Sequence, residues 1–68
     1  MTRDEFEAGK SFLIDDEPLR FNNKDNILTL DDDRHSIIYE IDDDGFCVEN
    51  WPFEDIRIEF SRCTVFKY

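Results

Sequence analysis

Three acidic knots constrain this chain more than any other feature. Asp15-Asp16-Glu17, Asp31-Asp32-Asp33 and Asp42-Asp43-Asp44 each stand between short apolar runs. Asp favours turns because its side chain hydrogen-bonds backbone two residues on, and unpaired carboxylates are too costly to bury together. The knots therefore mark surface turns. The apolar runs between them are short, as strands are. Such punctuation describes a compact, strand-rich domain with a strongly negative rim.

Sixty-eight residues allow a single domain, 1–68, near the lower end of what folds without disulfides, metal or a partner. Seven Phe, two Tyr and Trp51 offset the small size, because large rings bury much area per residue. Eighteen acids against eight bases give a net charge of −10. That balance argues against direct binding to nucleic acid or to anionic membrane, both of which require Lys and Arg. It favours a partner with a basic surface. No apolar run has the length of a signal peptide or a spanning helix, so the expected location is the cytoplasm. Cys47 and Cys63 lack metal-type spacing and are expected as reduced, buried thiols, a disulfide between them being the lesser alternative.

The N-terminus carries a capping box. In Thr2-Arg3-Asp4-Glu5 the Thr hydroxyl can take the N3 amide while the Glu reaches back to the cap. Gly9 offers a left-handed stop. A helix over about 3–8 follows, with Phe6 as its anchor to the core; alone it would be too short to persist. After it the period changes to two. Strands are expected over Lys10 to Ile14, Leu19 to Phe21, Ile27 to Leu30, Ser36 to Ile41 and Phe46 to Asn50. Residues 22–26 read as a polar turn and Asp44-Gly45 as a hairpin turn. Gly9 and Gly45 are both expected as turn glycines.

The last strand begins at Ile56, where Ile56, Ile58 and Phe60 alternate with Arg57, Glu59 and Ser61. Beyond Ser61 the phase slips, since Arg62 would point inward. A bulge near Ser61-Arg62, or a bend letting the strand pair at both ends, would restore the alternation. Short connections favour an antiparallel meander. The expected class is α+β, mostly β: a short N-terminal helix, then about five or six strands forming a half-barrel or small barrel with the helix plugging one end.

In a meander, alternate turns share an end of the sheet. The connections at 15–18, 31–35 and 51–55 would lie together, apart from those at 22–26 and 42–45. The shared edge would gather Asp15, Asp16 and Glu17 with Asp31, Asp32 and Asp33, and would add Trp51, Phe53, Glu54 and Asp55. Acid around exposed aromatic rings is the composition of a docking surface for a basic partner. The plainer account is that Asp is a good turn residue, that charge at strand ends prevents aggregation, and that Trp51 and Phe53 close the base of the core.

Other chemistry is poorly supported. Glu40-x-Asp42-x-Asp44-Gly45 imitates half of a calcium loop, but the twelfth position is Trp51 rather than a bidentate Glu. Close carboxylate pairs are expected by chance in so acidic a chain, and a domain this small rarely forms a substrate cleft. His35, the lone histidine, reads as a solvated turn residue. No phosphate loop or zinc spacing is present, so neither an enzyme nor a cofactor is expected.

The leading expectation is a small acidic interaction module. It would inhibit or modulate a larger protein by occupying a basic, nucleic-acid-binding site through charge mimicry. In composition the chain resembles small acidic inhibitors made by phages and mobile elements. A structural or assembly subunit that pairs through its C-terminal edge strand, in a hetero-complex or a homodimer, is the alternative. A weak calcium-binding module is the third.

Overall fold

Thr2 begins the fold as expected: its hydroxyl accepts from the Glu5 amide and the Glu5 carboxylate accepts from the Thr2 amide. The helix α1 spans Arg3–Glu7, and Gly9 turns the chain away with φ of +79°. The computed structural model describes residues 1–15, 17–30 and 35–66. Seven strands follow the helix: β1 (Phe12–Ile14), β2 (Phe21–Lys24), β3 (Ile27–Leu30), β4 (His35–Tyr39), β5 (Gly45–Val48), β6 (Ile56–Glu59) and β7 (Cys63–Val65). All pairings are antiparallel, in the order β6-β5-β4-β3-β2-β1-β7. The result is a nearly closed barrel, mostly β, with one short helix.

Closure depends on the end of the chain. A 3-10 turn at Phe60–Arg62 bends one long segment into β6, which pairs with β5, and β7, which pairs with β1. The turn does what a bulge was expected to do: it resets the phase, so that Phe60 and Cys63 are buried while Arg62 points to solvent. The final segment is therefore two strands, each paired on one side, rather than one exposed edge.

Several assignments change: His35 opens β4 rather than lying in a turn, residues 19–20 and 40–41 lie outside the strands, and two further changes have a clear physical cause. Residues 22–24 are not turn but strand, in register with β3 from Phe21↔Leu30 to Lys24↔Ile27. Only Asp25 and Asn26 form the turn, both at positive φ (53° and 62°), which is the two-residue hairpin geometry matching strand twist. Gly45 is likewise no turn residue. It opens β5 opposite Glu59, and a Cβ there would stand 2.2 Å from the Ile58 carbonyl oxygen. Glycine is needed for close approach to β6, and Glu40 takes the positive φ of that connection.

The core is aromatic at one end and aliphatic at the other. Phe6 of α1 is fully buried, with its ring 4.5 Å from Phe46, 5.2 Å from Phe60 and 6.0 Å from Phe12. These rings plug the helix end. Asn23, inward on β2, donates to the Phe6 carbonyl there. The thiols are unpaired: Cys63 is buried and Cys47 half-buried. Burial pushes the Cys63 thiol up to about 11.

Candidate functional site

The ends of β1, β3 and β5, and the starts of β2, β4 and β6, share the end of the barrel opposite α1. Among the described residues no helix covers this mouth. A cavity of about 360 Å³ opens between the strands. Its walls are apolar: Ile14, Leu19, Phe21, Leu28, Val48 and Ile58, with Ile56 beside them. Polar groups come from the connections instead. Asp15 and Glu17 stand after β1, Ser36 early in β4, Asn50 after β5, and Arg62 on the 3-10 turn. Alternation explains the division, since inward positions near strand ends are apolar while the adjoining turns carry the charge.

Charge at the lip is arranged unevenly. Arg62 grips Asp15 with two hydrogen bonds, of 3.1 and 2.7 Å, and the Asp15 amide donates to the Arg62 carbonyl at 2.8 Å. That hydrogen-bonded guanidinium holds the Asp15 carboxyl below its ordinary range. Arg20, on the β1–β2 connection, lies 4.4 Å over the Phe66 ring. The Glu17 carboxylate has no cation partner among the described residues. With Arg62 neutralised by Asp15, Glu17 leaves the described cavity lining net negative.

The connection from Asn50 to Ile56 rises from the same lip. It carries Trp51, 91% exposed, and Phe53, 74% exposed, around a cis Trp51–Pro52 peptide. A bond from the Phe53 amide to the Asn50 carbonyl (2.7 Å) holds this turn. Glu54 is exposed beside them. Asp55 is turned along the outer wall, where it accepts from the Tyr39 hydroxyl and raises that phenol to about 12. Of the residues singled out by sequence, Asp15 and Glu17 line the cavity, while Trp51, Phe53 and Glu54 flank it. Asp16, Asp31, Asp32 and Asp33 lie outside the described residues.

The cavity walls and Arg62 were missed by sequence reading. The phase slip at Arg62 was the available signal, since a base that cannot point inward must seek an acid outside.

The third acidic knot is used internally. The Asp42 carboxylate caps the amides of Asp44 and Gly45 and receives Arg57 at 2.7 and 3.0 Å. Chiefly through the Arg57 bond, its carboxyl drops to about 2. The calcium-loop imitation therefore presents a carboxylate already occupied. Among the described residues no group of three or more His, Cys, Asp or Glu is placed to hold a metal, and no helix is long and apolar enough to cross a membrane.

No family model, curated protein or solved structure matches the chain. The mouth must be interpreted from its own chemistry.

Proposed function

We propose that this protein is a small acidic interaction module that docks through its barrel mouth onto a basic site of a larger protein, in the manner of a nucleic-acid mimic. One observation carries the reading: two nearly bare aromatic rings stand on the connection beside a cavity whose lining, among the described residues, is net negative. Burying a large apolar side chain contributes about 1.5–3 kcal/mol, and a domain this small forgoes that twice at Trp51 and Phe53. Aromatic anchors ringed by polar groups are the usual composition of interface hot spots. The acids add steering toward a basic partner and weaken binding to anionic ones.

Size sets what can be imitated. The domain measures 34 × 27 × 22 Å. A duplex as long as its longest axis carries about twenty phosphate charges, and one strand about half as many. A net charge of −10 suits a short or single-stranded stretch. The alternative, strand addition, is less well supported, since β6 and β7 are already paired on one side and offer edges of only four and three residues.

The test is capture from the native host with the wild-type chain and with a W51A/F53A variant. A captured protein that is lost at high salt, displaced by single-stranded DNA and not retained by the variant supports the reading. Capture insensitive to both salt and nucleic acid sinks it.

A further inference from the structure

We propose that the mouth cavity receives one aromatic side chain of the partner polypeptide, flanked in the partner's sequence by Lys or Arg. This rests on the interaction reading above and says what fills the cavity. Four observations point to that occupant. The volume, about 360 Å³, lies near the lower bound of small-molecule pockets, roughly 300–1,000 Å³, and has room for one large aromatic side chain. Ile14, Leu28, Val48 and Ile58 make a floor without charge, so the buried tip must be apolar. Phe21 lines the wall, backed by the Phe12 ring at 6.0 Å and 26°, and offers an aromatic guest a ring of defined orientation.

The fourth observation concerns the lip. Glu17 is exposed with no cation partner among the described residues, and Ser36 and Asn50 line the same cavity. The one cation among the lining residues, Arg62, is held bidentately by Asp15. An apolar tail ending in a carboxylate would therefore meet net negative charge at the entrance. A base beside the buried ring would meet Glu17. The cavity selects an apolar tip and the lip selects a positive neighbour.

Two synthetic Lys-rich peptides, identical except for a central Phe or Ala, are titrated into the full chain at low salt and followed by methyl and amide NMR. The Phe peptide should bind roughly tenfold tighter or more and shift the methyls of Ile14, Leu28, Val48 and Ile58. The Ala peptide should move only lip resonances. Glu17→Gln, at an exposed position, should weaken the Phe peptide several-fold without altering the spectrum of the free protein's core. Equal affinities, or binding with those methyls unmoved, overturn the anchor while leaving the electrostatic docking reading intact. If neither peptide binds, both fall. Octanoate binding in the cavity more tightly than the Phe peptide would overturn the charge selection.

Discussion

Replacing Phe6 by Ala tests whether α1 is a structural plug or an appendage. The Phe6 ring is fully buried among Phe12, Phe46 and Phe60, which sit on β1, β5 and the 3-10 turn. Three rings fixed to three separate elements cannot close on the space together. The cost should therefore fall high in the Phe→Ala range of about 3–5 kcal/mol, because little of the cavity collapses. A chain of this length has roughly 3–10 kcal/mol in all. Phe6→Ala should consequently be unfolded or nearly so in buffer, and Phe6→Leu should lose only about 1–1.5 kcal/mol by keeping most of the volume. Urea titration followed by far-UV circular dichroism measures both. Trp51 emission is the wrong probe, since its side chain is already 91% exposed. Phe53→Ala, at an exposed ring, is the control and should stay within about 0.5 kcal/mol. If Phe6→Ala lost less than about 1 kcal/mol, far below the expected range, the barrel would be shown to close without its plug.

Three further outcomes follow from the same geometry. Gly45→Ala should cost about 3 kcal/mol, the upper end for overpacking, because its Cβ would meet the Ile58 carbonyl at 2.2 Å; a loss under about 1 kcal/mol in the same titration would contradict the close approach of β5 and β6. Raising ionic strength from about 0.01 to 0.1 M shortens the Debye length from roughly 30 to 10 Å, inside the dimensions of this domain, so the urea midpoint of a chain with charge −10 should rise; an unchanged or lower midpoint would refute stored self-repulsion. Asp42 has a folded value of about 2 against an ordinary 3.8, so the ionised group stabilises the fold above about pH 4 and that contribution is lost as pH falls through 2. The stability gap between wild type and Asp42→Asn should therefore be full at pH 5 and close toward pH 2, and a gap constant across that window would mean the Arg57 pair contributes nothing.

Local signals were legible where two or three neighbouring residues decide the backbone. Thr2 and Glu5 form both halves of the capping box, and Gly9 takes the left-handed position that spacing assigns it. Signals failed where a distant partner decides. Asn22, Asn23 and Lys24 have turn composition, yet the Asp25-Asn26 hairpin imposes a register that makes them strand. Thr29 then donates to the Asn22 side chain and the Phe6 carbonyl accepts from that of Asn23, whose Oδ1 is buried without a partner among the described residues. Gly45 reads as a turn residue because Asp-Gly usually is one; the Ile58 carbonyl that demands it is thirteen residues away. The phase slip at Arg62 located the bend correctly, but its partner, Asp15, is 47 residues distant. The cavity was illegible for the same reason, since it exists only where six strand ends meet.

The two ends of the barrel divide the work of the sequence. Phe6, Phe12, Phe46 and Phe60 concentrate four large buried rings at the helix end. The mouth is left with walls that are aliphatic apart from Phe21, a space unfilled by the described side chains and a lip of exposed residues. Substitutions at Glu17 or Trp51 therefore touch none of the rings that hold the fold, and changes at separated sites add nearly independently. A scaffold built this way can change its mouth residues without passing through unstable intermediates. Had those four rings been shared between both ends, every change at the mouth would also have been a change of core.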